Sequence, residues 1–197
     1  MSTESERKRD SIPPADVMEV VLYPDPRLDK PCRAITAEEL KAGKADGWEL
    51  KELSRRMLAT MYFNEGIGLA APQVGVNLRM FTIDISKDRD QPLTIINPVF
   101  TDLEGSETDE EGCLSIPDVR VKVKRPTQLT VTAVDLDGNP LTIKADGLFA
   151  RCCQHETDHL NGILILKYLG LAGRMLVRRQ LNELEERYQM RQARRKR

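Results

Sequence analysis

Long hydrophobic runs are missing from this chain of 197 residues. Stretches such as Ile163 to Leu166 are far too short to span a bilayer, so no membrane protein is expected. An excess of one charge is missing too. Thirty basic residues stand against 31 acidic ones, for a net charge of -1. That balance argues against a uniformly basic nucleic-acid binder, and no DNA partner is expected, although a local basic patch stays open. The start, Met1 to Asp10, has no apolar core and is not poor in acids. Neither a signal peptide nor a transit peptide fits, and the expected compartment is the cytoplasm. Internal repeats are absent. Histidine is scarce, with only His155 and His159, both inside one five-residue window.

Cysteine is limited to Cys32, Cys113, Cys152 and Cys153. The adjacent pair has poor geometry for a mutual disulfide. In a reducing compartment, cysteines are more often core, metal ligand or catalyst than cross-link. The length suits one domain with trimmings. We expect a flexible tail over residues 1–16, a catalytic domain over 17–170 and a basic C-terminal helix over 171–197.

Hydrophobic periodicity gives the elements. Val20 to Tyr23 is a short apolar run, stopped by Pro24-Asp25-Pro26, which suits a loop or edge strand. Thr36 with Glu39 reads as a capping box, opening a helix to about Asn64 with an interruption near Gly43 to Gly47. Leu50, Leu53, Met57 and Met61 form its apolar stripe. Phe81, Ile83 and Ile85 alternate as a strand, Leu93 to Phe100 is a β-rich run broken at Pro98, and Val119, Val121 and Val123 alternate with basic residues. Leu129 to Ala133 should pair with Leu141 and Ile143 around Asp137-Gly138. Asp102 to Glu111 reads as an acidic loop. After Asp146, a plausible N-cap, the period turns helical until Asn161-Gly162. A last helix from about Leu171 carries Val177, Leu181, Leu184 and Tyr188 in a stripe, and Arg174 to Arg197 hold nine basic and three acidic residues. Strands and helices do not alternate, so the expected class is α+β: small antiparallel sheets around a central helix, with a C-terminal helix.

The sharpest signal is His155-Glu156-Thr157-Asp158-His159. On a helix, His-Glu-x-x-His puts both imidazoles on one face, able to grip one metal ion, with the glutamate beside a bound water. Leu148 and Cys152 share that face. A catalytic metal usually has three protein ligands and one open position. With no histidine left, the third must be a cysteine or a carboxylate. Cys152 is better read as a helix-packing residue. Cys113, in Glu111-Gly112-Cys113-Leu114-Ser115-Ile116-Pro117, is favoured over the carboxylates by its setting, but spacing alone leaves the choice open. A third segment, Gly66-Ile67-Gly68-Leu69-Ala70-Ala71-Pro72-Gln73-Val74-Gly75, joins a helix to a strand. Gln73 could be an oxyanion donor there, or the segment could be only a tight connection. Two rivals remain from the residues alone. One is a zinc endopeptidase; the other is a ribosome- or RNA-binding module with a structural metal.

Taken together and in order, the segments Gly66 to Gln73, Glu111 to Ser115 and Gln154 to His159 resemble the three signature motifs of peptide deformylase. The resemblance covers roughly residues 18–168 and includes the start at Val20 to Pro26. It implies hydrolytic removal of the formyl group from N-formylmethionyl nascent peptides. It also implies one divalent ion held by Cys113, His155 and His159, usually Fe2+, with Zn2+, Ni2+ or Co2+ able to replace it. Glu156 would be the general base and proton shuttle. Gln73 and the Leu114 amide would stabilise the oxyanion. Gly68 would meet the substrate backbone, Ile67, Arg120, Leu148 and Cys152 would surround the methionine side chain, and Asp158 would pair with Arg125. For the basic C-terminal helix, docking on the ribosome is the functional expectation.

Overall fold

A computed structural model describes residues 15–195. Most of the expected flexible tail, residues 1–14, lies outside the described residues. Asp16 pairs with Arg55 at 2.7 Å.

The first helix, α1 (Ala37–Ala42), is opened by the expected capping box, in which Thr36 and Glu39 exchange side-chain-to-backbone hydrogen bonds. Gly43, at φ 68°, ends it in the left-handed conformation that glycine tolerates best. The interruption that follows is a miniature hairpin of β1 (Lys44–Ala45) and β2 (Trp48–Glu49). Then α2 (Leu50–Phe63) buries Leu50, Leu53, Met57 and Met61 completely. At about 25 cal/mol per Å2 of apolar area, each such side chain contributes roughly 1.5–3 kcal/mol.

Seven further strands follow: β3 (Gly68–Ala70), β4 (Met80–Ile83), β5 (Leu93–Glu104), β6 (Glu107–Cys113), β7 (Ile116–Arg125), β8 (Gln128–Val134) and β9 (Pro140–Asp146). They make a five-stranded antiparallel sheet in the order β3-β4-β5-β8-β9 and a separate β6-β7 ribbon. The expected hairpin is β8-β9, in register from Val134↔Pro140 to Gln128↔Asp146. Two strand expectations shift. Ile85 falls outside β4 and is 39% exposed. Pro98 does not end its strand, because β5 accommodates it in a register shift between Ile96 and Val99.

The expected acidic loop over Asp102 to Glu111 is not a loop. Only Gly105 and Ser106 connect β5 to β6 there. All its acids but the buried Glu111 are exposed, and β7 brings basic residues opposite two of them, as Glu107↔Arg125 and Glu110↔Lys122. Opposite charges across strands stabilise a ribbon whose own residues have low β-propensity.

Helix α3 (Gly147–Leu160) packs on the large sheet and is buried on most sides, including Cys152, Cys153, His155, Glu156 and His159. Asp146 occupies its N-cap with extended backbone, but its side chain makes no capping bond. At its end, Gly162 has φ 69°, and a Cβ there would meet the Asp29 carbonyl carbon at 2.7 Å, so glycine is required twice over.

The expected last helix is split at Val177 into α4 (Leu171–Leu176) and α5 (Arg178–Arg195). Leu184 of α5 is 4% exposed and joins a core with Val21, Leu28, Ile116 and Val121. Among the described residues, no helix is long and apolar enough to cross a membrane.

Candidate active site

The chain builds the site from three directions. Helix α3 supplies His155, Glu156 and His159. The tight end of the β6-β7 ribbon supplies Cys113 and Leu114. The turn after β3, Ala71–Val74, supplies Gln73. The ligand atoms of Cys113, His155 and His159 all lie within 4.8 Å of one another, and the Cys113 Sγ is 3.2 Å from the His159 Nε2. Donors around a tetrahedral metal at about 2.0–2.3 Å would stand roughly 3.5 Å apart, so the spacing fits one ion. Among the described residues this is the one such cluster, and it holds three residues. A closed structural site takes four protein ligands.

The local charge points the same way. Burial disfavours a charged His155, yet its hydrogen bonds with Cys113 and Glu111 outweigh that and hold its pKa well above the usual value. Burial, followed by the neighbouring His155, holds His159 well below the usual value, which suits a neutral imidazole ligand. Its Nδ1 has no hydrogen-bond partner.

Glu156 is 3% exposed, and its Oε2 has no partner. Burial pushes its carboxyl up to about 7. It sits on the wall of an open cavity of about 840 Å3, whose lining also includes Gln73, Cys113, Leu114 and His155. Every residue expected around the methionine side chain lines the same cavity: Ile67, Arg120, Leu148 and Cys152, together with Gly68. Gly68 has no room for a side chain. A Cβ there would collide with the Glu156 carboxylate and come within 2.7 Å of the Cys152 Sγ. Burial raises the Cys152 thiol well above its ordinary value, so it lines the wall as a neutral group. A second cavity of about 300 Å3 lies between α5 and residues 17–27, away from the histidines.

Gln73 is 1% exposed and firmly held. Its Oε1 accepts from the Ala70 amide at 2.8 Å, and its Nε2 donates to Ser115 Oγ at 3.2 Å and lies 3.6 Å from Cys113 Sγ.

The expected Asp158–Arg125 pair is present at 2.9 Å. Behind it lies a residue that the sequence reading left without a role. Glu111 takes both oxygens of a bidentate grip from Arg125, at 2.6 and 2.9 Å. It also accepts from Arg151 at 2.8 Å and lies 3.0 Å from the His155 Nδ1. Burial alone would raise its carboxyl, but Arg125 and His155 bring it down to about 2. Fixed this way, it orients His155 so that the other ring nitrogen faces Cys113. The sequence held a signal: Arg151 lies four residues before His155, a cation on the same helix face that calls for a buried carboxylate. Ser115 was also missed, though it stood in a quoted motif.

Known proteins share this architecture. A family model described as Polypeptide deformylase matches residues 17–174. Among solved structures, a peptide deformylase from Legionella pneumophila is 38% identical, with a TM-score of 0.76 over 89% of this chain and 98% of that one. One from Thermus thermophilus is 32% identical, with a TM-score of 0.77 over 87% and 99%. One from Ehrlichia chaffeensis, in complex with actinonin, is 34% identical, with a TM-score of 0.76 over 87% and 97%.

Proposed function

The chain belongs to the polypeptide deformylase family, and from that premise we propose that it removes the formyl group from N-formylmethionyl nascent peptides, releasing formate. The observation that carries this reading is the convergence of Cys113, His155 and His159 within 4.8 Å, beside a buried glutamate with an unpartnered oxygen. Neither rival reading has comparable support. A family match over residues 17–174 speaks against an endopeptidase, and three ligands speak against a closed structural site.

Cys113, His155 and His159 would hold one divalent ion, Fe2+ in vivo. Thiolate and imidazole donors suit Zn2+, Ni2+ and Co2+ as well. Such an ion supplies Lewis acidity, making water a nucleophile near neutral pH. Glu156 takes the proton from the attacking water, a task suited to a carboxyl with a pKa of about 7. The formyl oxygen gathers negative charge as the water adds. Gln73 Nε2–H and the Leu114 N–H donate to it, each donor worth about 3 kcal/mol. Glu156 then gives its proton to the departing amine, which leaves a free N-terminus. Gly68 lets the peptide backbone approach closely. The methionine side chain lies among Ile67, Leu148, Cys152 and the aliphatic stem of Arg120. Arg125 and Asp158 hold α3 in place from behind.

In this reading, residues 17–170 form the catalytic domain and 171–197 a basic helical segment, in a cytoplasmic protein. Arg178, Arg179, Arg187 and Arg194 of α5 are exposed, which suits docking on ribosomal RNA. Changing these four to glutamate should abolish low-salt ribosome pelleting and spare turnover of a free peptide; unchanged pelleting would remove the ribosome from the account.

The direct test is an anaerobic assay of formate release from formyl-Met-Ala-Ser, with metal analysis of the same sample. Formate at one metal per chain supports the reading. Cleavage of unformylated peptides without formate release would overturn it.

A further inference from the structure

Gln73 and Ser115 come from different loops, one after β3 and one between β6 and β7, and both are buried, at 1% and 0% exposure. Two independent bridges join them. The first is the side-chain bond from Gln73 Nε2 to Ser115 Oγ, at 3.2 Å. The second runs through the main chain of residues 21–23. The Val21 N–H donates to the Gln73 carbonyl at 2.7 Å, and the Tyr23 N–H donates to the Ser115 carbonyl at 2.9 Å. The two donors are two residues apart, so one short stretch of chain ties the two loops together. The backbone strap fixes where Gln73 and Ser115 sit. The side-chain bond bears on where the carboxamide points.

That pointing needs a cause. The last torsion of a glutamine side chain is broad, with no strong staggered preference, so its partners must set the plane. Ala70 N–H can only donate, and it meets Oε1 at 2.8 Å. The oxygen and nitrogen of the amide are thereby told apart. Nε2 then carries two hydrogens in one plane. Ser115 Oγ accepts on one side, and Cys113 Sγ accepts at 3.6 Å on the metal-ligand side. Because the amide is planar, holding one N–H fixes the direction of the other.

We propose that Ser115 is a positioning residue: its hydroxyl accepts one N–H of Gln73 and thereby keeps the second on the metal-ligand side, beside Cys113 Sγ, within reach of the formyl oxygen as charge develops there. This rests on the deformylase reading above. Ser115 touches neither substrate nor metal in this role; it acts through Gln73 alone. Its loss should affect the transition state more than the bound ground state, because the formyl oxygen gains charge only as the water adds.

Formate release should be measured for the wild type, Ser115→Ala, Gln73→Leu and the double variant, with metal content and melting midpoint for each. Ser115→Ala should lower kcat about tenfold, the worth of one neutral hydrogen bond, with KM within about twofold and full metal content. In the Gln73→Leu background, Ser115→Ala should cost nothing more, because its route of action is already gone. A Ser115→Ala turnover within about twofold of wild type would overturn the proposal, as would losses that multiply in the double variant. Should Ser115→Ala lose metal or melt early, Ser115→Thr decides: kept turnover supports the hydroxyl's role, and a fall equal to that of alanine refutes it. A wild-type enzyme that released no formate would instead bring down the underlying activity.

Discussion

Two buried carboxylates, Glu111 and Glu156, lie near His155, at 6% and 3% exposure. Burial does not distinguish them; hydrogen-bond supply does. Glu111 meets two guanidinium groups and a ring nitrogen, and its carboxyl falls to about 2. Glu156 keeps one oxygen without a partner, and burial pushes it up to about 7. The first is a permanent charge that holds a ligand still. The second can take up and return a proton near neutrality. Equal exposure with unequal partners separates scaffold from chemistry more clearly than either residue type or depth.

The comparison presumes a cation beside both groups, so the largest effect should come from removing its sulfur. Cys113→Ala should abolish tight metal binding and with it turnover; full metal occupancy by elemental analysis would mean that another residue is the third ligand. Glu111→Ala comes next. It strips Arg125 and Arg151 of the buried carboxylate they share, leaving Arg125 its Asp158 partner and Arg151 only backbone carbonyls, which should cost about 3 kcal/mol of stability. Metal affinity should fall about 10–100-fold as His155 loses its brace. Denaturant melts and metal titration measure the two, and a variant as stable as wild type would deny Glu111 its structural role. Glu156→Gln should behave in the opposite way. Metal should stay bound and the melting midpoint should not drop, because glutamine keeps the shape of the side chain and the buried Oε2 has no partner to lose. Turnover should fall about a hundredfold or more; near-normal turnover would remove Glu156 from the proton path.

Much of this contrast could be read before any coordinates. His155, Glu156 and His159 are adjacent in sequence, and helix geometry alone puts the two rings together. Cys113 lies 42 residues before His155, and no period in the sequence specifies that distance, so its setting favoured it and only the family resemblance assigned it as the third ligand. Glu111 escaped notice because its partners, Arg125, Arg151 and His155, come from another strand and a helix. Its low pKa belongs to that meeting and to no local pattern. The acidic run from Asp102 was misread for a related reason. Its residues have poor β-propensity alone; Asp102 to Glu104 become strand against β8, and Glu107 to Glu111 against β7, with its basic residues. The capping box at Thr36 and the αL glycines 43 and 162 were legible because their causes are local.

The smallest effect belongs to a third kind of carboxylate. Glu183 pairs with Arg179 at 3.0 Å along the helical i,i+4 step, with the arginine side chain 89% exposed. In name it is the same interaction as Glu111–Arg125, where the side chains are 5% and 4% exposed. Water solvates the Arg179 guanidinium whether or not the pair forms, and holding two long side chains together costs rotamer entropy. Arg179→Ala should therefore shift the melting midpoint by no more than about 1–2 °C, and salt at roughly 0.5 M should erase even that. A drop comparable to that of Glu111→Ala would mean that charge on this helix is structurally required. It would then have to be treated like the cluster behind His155, and the exposed arginines would no longer be free to serve a partner.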